Sequence, residues 1–230
     1  MGTAMPLRLS AHRHLLRLAP AVGLLGRIAL CLAFVNAAAA AEPLRILALG
    51  DSLTAGYGLP AQAAFPAVLE AALRREGVKA VVINGGVSGD TSAGGLARLE
   101  WALGRGADLA VVALGANDAL RGLDPAAMEA NLDAILSRLR ERGVRVLLAG
   151  MKAPRNLGPA YVREFDAVFP RLAARHGVAL YPFFLEGVAG IPGLNQADGV
   201  HPNRRGVEEM VARVLPLVRE LVREIGPRGG

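Results

Sequence analysis

Residues 46–58 are ILALGDSLTAGYG, and this stretch decides the fold. Its apolar first half is typical of a strand that is buried on both faces of a parallel sheet. Gly50 allows a sharp backbone turn where the strand ends, and Ser52 follows just beyond that turn. Open α/β folds place their reactive groups at the carboxyl edge of the sheet, so Ser52 is a candidate nucleophile. The alternative interpretation is that Asp51 or Ser52 only caps the next helix.

Further apolar runs follow this stretch, and they alternate with helical patterns. Each helical pattern repeats apolar side chains at intervals of three and four, as in Leu132, Ile135 and Leu139. We expect strands near 44–50, 78–84, 107–114, 144–150 and 178–183, and helices near 63–76, 92–104, 125–142, 160–176 and 204–225. Alternation with short connections predicts right-handed crossovers and a parallel sheet. The predicted fold is therefore a three-layer α/β domain with five parallel strands and helices on both faces.

The charge of the chain gives little support for nucleic-acid binding. The 230 residues carry a net charge of +6, but residues 1–41 contain four arginines and no acid. Beyond residue 41, 22 basic side chains face 20 acidic ones, without a long basic run. Proteins that bind nucleic acids concentrate lysine and arginine on one face. A length of 230 residues also suits one α/β domain rather than two.

Residues 1–41 have the pattern of a secretory signal peptide. A basic region precedes the apolar run 28–35, which is far shorter than the ~20 residues that span a bilayer. Small residues at Ala39 and Ala41 predict cleavage near Ala41/Glu42, with an uncleaved anchor as the alternative. We therefore expect an exported protein, periplasmic or secreted, whose domain spans 42–230. Cys31, the single cysteine, would leave with the signal, so no disulfide is expected.

Few side chains could assist a serine nucleophile. Beyond residue 41 there are two histidines. His176 precedes a glycine at a predicted helix end, which favours a structural role, whereas His201 lies in a loop. His201 is thus the candidate general base. Among the serines, Ser88 in a glycine-rich loop is the competitor of Ser52, while Ser92 is interpreted as a helix cap.

Three acids could orient the histidine: Asp51, Asp90 and Asp198. Asp198 stands three residues before His201, so one bent loop would let its carboxylate reach the imidazole. The same spacing is also typical of a turn followed by a helix cap. A metal site is not predicted, because one loop histidine and scattered acids form no recognisable zinc or calcium spacing.

Four motifs occur in order along the chain: GDSL at 50–53, SGDTS at 88–92, GAND at 115–118 and DGVHPN at 198–203. In these the chain resembles the SGNH (GDSL) hydrolase family, and within it the secreted bacterial thioesterase/arylesterase/lysophospholipase group. The resemblance implies a flavodoxin-like, five-stranded parallel sheet. It also implies a catalytic triad and an oxyanion hole, built from the backbone N–H groups of Ser52 and Gly89 and the Asn117 amide. The implied triad is Ser52, Asp198 and His201. Ala116 departs from the glycine that the family often has there.

We therefore predict a serine esterase that hydrolyses ester or thioester bonds of small acyl substrates through an acyl-enzyme on Ser52, without metal or cofactor. A carbohydrate O-acetylesterase is one alternative, and a non-catalytic periplasmic binding module is another. The loops 151–160 and 184–197 are expected to flank the site, and their apolar residues could form an acyl groove or only pack those loops down. These residues are Leu157, Phe184, Leu185, Val188, Ile191 and Leu194.

Overall fold

A computed structural model of the chain describes residues 1–2 and 42–226. All secondary-structure elements given below lie in the unit formed by residues 41–230. The signal peptide predicted over residues 1–41 falls on positions 3–41, which lie outside the described residues. None of the helices in the described part of the chain has the length and apolar character needed to cross a membrane.

Five parallel strands form the centre of the domain, as predicted. They are β1 (Leu44–Gly50), β2 (Ala80–Gly86), β3 (Leu109–Ala113), β4 (Arg145–Ala149) and β5 (Ala179–Tyr181). The strand order is β2-β1-β3-β4-β5, and all four neighbouring pairs are parallel. The chain adds β2 on one side of β1 and the later strands on the other side. The topological switch point of the sheet therefore lies between β1 and β3. In open sheets of this kind, ligands bind in the crevice beyond the carboxyl ends of such strands.

Eight α-helices surround the sheet within residues 42–226. They are α1 (Ser52–Ala55), α2 (Phe65–Arg75), α3 (Ser92–Ala97), α4 (Leu99–Leu103), α5 (Ala116–Leu120), α6 (Pro125–Glu141), α7 (Pro159–His176) and α8 (Arg204–Ile225). The single-turn helices α1 and α5 were not predicted. The helix predicted over 92–104 is in fact two helices, which meet at Arg98 (φ −105°, ψ 7°).

The core lies on both faces of the central strands. Every residue of β3 is buried, and so are all residues of β1 except Arg45. Helix α2 packs against α8, and α6 packs against α7. A parallel sheet needs cover on both faces because its central strands are apolar throughout. The predicted three-layer α/β fold is confirmed, and the carboxyl edge of the sheet is left as the open edge where a site can form.

Candidate active site

The first part of the site is the tight turn from β1 into α1. A side chain at Gly50 would place its Cβ 2.1 Å from Thr54 Oγ1 and 2.8 Å from the carbonyl oxygen of Ala113 on β3. Glycine is therefore required, because the turn packs directly against the neighbouring strand. Asp51 caps α1 by accepting the backbone N–H of Leu53 at 3.0 Å. The capping interpretation thus holds for Asp51, and Ser52 begins the helix at the edge of a cleft.

Ser52, His201 and Asp198 lie next to one another although the serine and the histidine are 149 residues apart in sequence. Ser52 Oγ is 3.0 Å from His201 Nε2. On the other side of the ring, His201 Nδ1 is 2.7 Å from Asp198 Oδ2. Such a chain of hydrogen bonds allows an imidazole to take a hydroxyl proton while a carboxylate fixes its orientation.

Asp198 is held in its ionised form by the loop that carries it. Its Oδ1 accepts the backbone N–H groups of His201 at 3.0 Å and of Val200 at 2.9 Å. These backbone hydrogen bonds, with that of the His201 ring, lower the pKa of Asp198 to about 2. A carboxylate at Nδ1 makes that nitrogen the donor, so the neutral ring leaves Nε2 as an acceptor for the serine hydroxyl.

The histidine loop is attached to the rest of the site by Gln196. Its side-chain amide donates to the carbonyl oxygens of Tyr57 at 2.7 Å and Pro202 at 3.0 Å. Its backbone N–H donates to His201 O at 2.8 Å. The Tyr57 ring also lies against the imidazole, with 4.6 Å between the ring centroids. The position of His201 is therefore set by contacts from the β1–α1 side as well as by its own loop.

The two other acids considered for orienting the histidine have different partners. Asp51 is buried, and its Oδ2 accepts from Asn117 Nδ2 at 3.3 Å. Burial raises the pKa of Asp51 to about 6. Asp90 pairs with Arg98, with 2.5 Å between Oδ2 and Nε. Of the three acids, Asp198 is the one whose carboxylate bonds the His201 ring.

Three candidate oxyanion donors line the same cleft: Ser52, Gly89 and Asn117. Within residues 42–226, the backbone N–H groups of Ser52 and Gly89 donate to no other protein group. Gly89 has φ +85°, a left-handed conformation that strongly favours glycine. Asn117 Nδ2 donates to Asp90 O at 2.9 Å, and its contact with Asp51 is the longer one. Backbone donors without a protein partner are what an anionic oxygen in the cleft requires.

Arg98 joins the strand ends to the loop of Gly89, and the sequence offered no signal for this role. Its guanidinium donates to the Asp90 carboxylate, to Gly85 O at 2.7 Å and to Gly50 O at 2.8 Å. These three acceptors lie at the end of β1, at the end of β2 and in the loop that follows β2. The side chain therefore links the turn that carries Ser52 to the loop that carries Gly89.

Ser92 and Asp118 link two of the loops. The interpretation of Ser92 as a helix cap is wrong, because Thr91 is the N-cap of α3 and accepts from Gly94 N. Ser92 instead donates from Oγ at 2.6 Å and from its backbone N–H at 2.8 Å to the two carboxylate oxygens of Asp118. Both residues are buried, so a side-chain pair connects the Gly89 loop with the Asn117 turn.

The cleft above Ser52 has a volume of about 420 Å³, and its walls are mainly apolar. It is lined by Ser52, Leu53, Tyr57, Ser88, Gly89, Ala116, Asn117, Ala119, Leu120, Met151, Lys152, Pro154, Leu185, Val200 and His201. Of the six residues considered for an acyl groove, Leu185 alone is in this set. Phe184 and Val188 are buried in the core instead. Ser88 lines the cleft, but it makes no hydrogen bond with His201.

His176 lies outside this site. It is buried at the end of α7, where its Nε2 is 2.8 Å from Asp133 Oδ1. That ion-pair geometry is in keeping with the structural role expected for it. In the described part of the chain, no three or more histidine, cysteine, aspartate or glutamate side chains are grouped as a metal ion would require.

Comparison with known proteins identifies the family. The model of the GDSL-like lipase/acylhydrolase family matches residues 48–208. Esterase TesA of Pseudomonas aeruginosa is 42 % identical over 84 % of this chain and 96 % of its own length. The thioesterase 1/protease 1/lysophospholipase L1 of Escherichia coli K12 is 42 % identical over 79 % of this chain and 87 % of its own. The crystal structure of AlinE4, an SGNH-hydrolase family esterase, is 51 % identical with a TM-score of 0.67, over 78 % of this chain and 96 % of that one. Because the family model and these relatives extend over most of the chain, the protein belongs to the GDSL-like lipase/acylhydrolase family and is a carboxylic ester hydrolase.

Proposed function

We propose that Ser52 is the nucleophile, His201 the general base and acid, and Asp198 the group that orients the histidine. The protein then hydrolyses ester and thioester bonds of acyl substrates through an acyl-enzyme. One observation carries this proposal. A continuous hydrogen-bonded path runs from Ser52 Oγ through the imidazole to an ionised carboxylate, and the hydroxyl end opens into an apolar cleft.

The first half of the reaction forms the acyl-enzyme. Ser52 Oγ attacks the acyl carbonyl carbon while its proton passes to His201 Nε2. The imidazolium is stabilised by Asp198, and the tetrahedral carbon then expels the alcohol or thiol. The leaving group takes the proton from Nε2. In the second half, a water molecule gives a proton to Nε2 as its oxygen attacks the acyl carbon. The second tetrahedral intermediate then expels Ser52 Oγ, which takes the proton back from Nε2, and the carboxylic acid is released.

The carbonyl oxygen becomes negative in both tetrahedral intermediates, and the proposed donors to it are Ser52 N, Gly89 N and Asn117 Nδ2. The two backbone groups need no rearrangement, since no acceptor within residues 42–226 competes for them. Asn117 would exchange its 3.3 Å contact with Asp51 for the substrate oxygen and keep its 2.9 Å bond to Asp90 O. Removing one such donor typically costs about 10²–10³ in kcat.

The cleft favours an acyl chain over the two alternatives. Leu53, Leu120 and Leu185 contribute to its wall, and such a wall suits an aliphatic chain better than a sugar ring, so the carbohydrate O-acetylesterase is less well supported. A binding module would not need the path from Ser52 to Asp198. The names of the relatives, an esterase and a thioesterase/lysophospholipase, support activity on both ester and thioester substrates.

We also propose that the protein is exported and cleaved near Ala41/Glu42. The support is the sequence pattern of residues 1–41. Intact-mass analysis of protein recovered from outside the cytoplasm should give a chain beginning within two residues of Glu42. A recovered chain that still contains residues 1–41 would contradict this proposal.

The decisive test of the nucleophile is hydrolysis of a short p-nitrophenyl acyl ester. Ser52→Ala should lower kcat by about 10⁴-fold or more, as removal of a catalytic nucleophile does elsewhere. A fluorophosphonate should label the wild-type protein once, at Ser52. Ser137→Ala is the matched control, because Ser137 lies in α6 and does not line the cleft. Activity that survives in Ser52→Ala but is lost in Ser88→Ala would refute the assignment.

A further inference from the structure

The loop of residues 196–202 carries both Asp198 and His201, and its internal hydrogen bonds fix these two side chains relative to each other. Gln196 N donates to His201 O at 2.8 Å. The Asp198 carboxylate accepts the backbone N–H of His201 and bonds its ring. These contacts all lie within the loop, and none of them reaches the segment that carries Ser52. The distance from the imidazole to Ser52 Oγ therefore depends on how the loop is held against that segment.

The side-chain amide of Gln196 joins this loop to the segment that follows α1. Its Nε2 donates to Tyr57 O at 2.7 Å and to Pro202 O at 3.0 Å. The backbone of Tyr57 is in turn connected to the candidate nucleophile, because Tyr57 N donates to Ser52 O at 3.1 Å. A short series of hydrogen bonds thus runs from the backbone of Ser52 to Pro202, the neighbour of His201 in sequence.

Gly58 provides the space in which the Gln196 amide lies. Its φ of +72° is a left-handed conformation, and a Cβ at this position would be 2.3 Å from Gln196 Oε1 and 3.1 Å from Cδ. The shorter of these separations is far below van der Waals contact, so a side chain at residue 58 would push the amide away. Gly58 is therefore needed both for its backbone conformation and for the close approach of Gln196.

We propose that Gln196 and Gly58 are positioning residues for the general base: the Gln196 amide, packed on Gly58, holds His201 Nε2 within reach of Ser52 Oγ. The inference rests on the proposed function, in which His201 takes the proton of Ser52. A general base acts at a heavy-atom separation of about 2.6–3.2 Å, and the two atoms are 3.0 Å apart. Misplacement by about 1 Å can cost about 10² in rate. Neither Gln196 nor Gly58 is among the residues that line the cleft, so both act through the histidine rather than on the substrate.

Gln196→Met tests the hydrogen bonds, because methionine has a similar length but no donor. With a short p-nitrophenyl ester, kcat should fall about 10–100-fold. KM should stay within about twofold of wild type, since the cleft is unchanged. Labelling of Ser52 by a fluorophosphonate should slow by a similar factor to kcat, because the same base activates the hydroxyl. Gln62→Met is the matched control, because Gln62 is the only other glutamine of the chain and is exposed in the turn before α2. It should leave kcat unchanged.

Gly58→Ala tests the same contact from the other side. It should also lower kcat with little change in KM, and its cost should be much smaller in a Gln196→Met background, where the amide is already gone. Gly77→Ala is the matched control for backbone strain, since Gly77 has φ +80° and open space around its Cβ position. It should leave kcat unchanged.

A third variant separates positioning from general damage to the protein. In a His201→Ala background there is no imidazole to place, so adding Gln196→Met should hardly change the residual activity. Equal fold losses in the two backgrounds would overturn the inference, and so would a Gln196→Met protein with the kcat of wild type. Neither result would affect the proposed function, which fails instead if Ser52→Ala hydrolyses the ester as fast as wild type.

Discussion

Replacing Arg98 with methionine should loosen both the turn that carries Ser52 and the loop that carries Gly89. The guanidinium donates three hydrogen bonds, to the Asp90 carboxylate at 2.5 Å, to Gly85 O at 2.7 Å and to Gly50 O at 2.8 Å. Methionine has a similar length but no donor. The variant therefore removes one donor from a carboxylate and from two carbonyl groups, of which Gly50 O keeps the N–H of Val87.

The size of the effect follows from burial. The Arg98 and Asp90 side chains are 16 % and 19 % exposed, so water reaches them only in part. Removing one member of a buried ion pair costs about 3–5 kcal/mol. With the partial exposure of this pair, we expect a loss of about 3 kcal/mol in the free energy of unfolding. Because Asp90 O also accepts a hydrogen bond from Asn117 Nδ2, the proposed oxyanion donors should shift too. The expected fall in kcat is about 10–100-fold, below the full loss of one donor.

Urea unfolding and p-nitrophenyl ester kinetics on the same preparations measure both effects. Arg74→Met is the matched control, because Arg74 forms an exposed pair with Glu70 at 2.6 Å on α2. It should change stability by less than about 1 kcal/mol and leave kcat unchanged. Arg98→Lys restores the charge but not the fork of donors, so it should fall between wild type and Arg98→Met.

A double variant separates a positioning role from general destabilisation. If Arg98 acts through the oxyanion donors, Arg98→Met should cost much less kcat in an Asn117→Ala background than in wild type. Equal costs in both backgrounds would refute that reasoning. So would an Arg98→Met protein whose kcat and unfolding free energy match those of the wild type.

Three further predictions concern Asp51, Asp198 and Gly89. Burial raises the pKa of Asp51 to about 6, from about 3.9 in an unfolded chain. The folded protein favours the neutral carboxyl, so ionisation of this group opposes folding. The stability that the neutral carboxyl contributes is therefore lost as pH rises from about 4 to about 7. Over that window, Asp51→Asn should gain about 2–3 kcal/mol relative to wild type in urea unfolding, and a pH-independent difference would contradict this. Asp198→Asn should lower kcat by about 10²–10⁴-fold, since the imidazole loses the carboxylate that sets its tautomer; an unchanged kcat would remove Asp198 from the proposal. Gly89→Ala should cost about 1–2 kcal/mol for its φ of +85° and lower kcat as the N–H group moves. Gly177→Ala, with φ +61° and open space around it, should cost similar stability but no activity.

Local sequence patterns were sufficient to predict the strands and most of the long helices of this protein. The apolar runs at β1 and β3 are buried strands because a parallel sheet is covered on both faces, and that requirement is visible in consecutive residues. Helix α8 has the bounds predicted for it, Arg204–Ile225. The prediction of a single helix over 92–104 is wrong. This segment is divided at Arg98, whose guanidinium donates to Gly50 O and Gly85 O on other segments.

Motif spacing placed Ser52 and His201 in loops, but only the folded chain could bring them together. Their 3.0 Å contact joins positions 149 residues apart, and it depends on strand order and on the path of the loop that Gln196 attaches. The sequence left three acids open as partners of His201. The tertiary structure gave each a different neighbour, because burial and loop position, rather than residue type, decide which carboxylate meets the ring.

The sequence by itself therefore determined the parallel α/β sheet, the edge at which the candidate site lies and the residue types available there. The spacing of apolar residues, the turn residues and the short connections are local properties of the sequence. They can therefore be recognised before the tertiary structure is known. The tertiary structure alone decided the lining of the cleft, with Leu185 inside it and Phe184 in the core, and the hydrogen-bond partners of Arg98. Those depend on contacts between distant segments, and no interval along the chain encodes them.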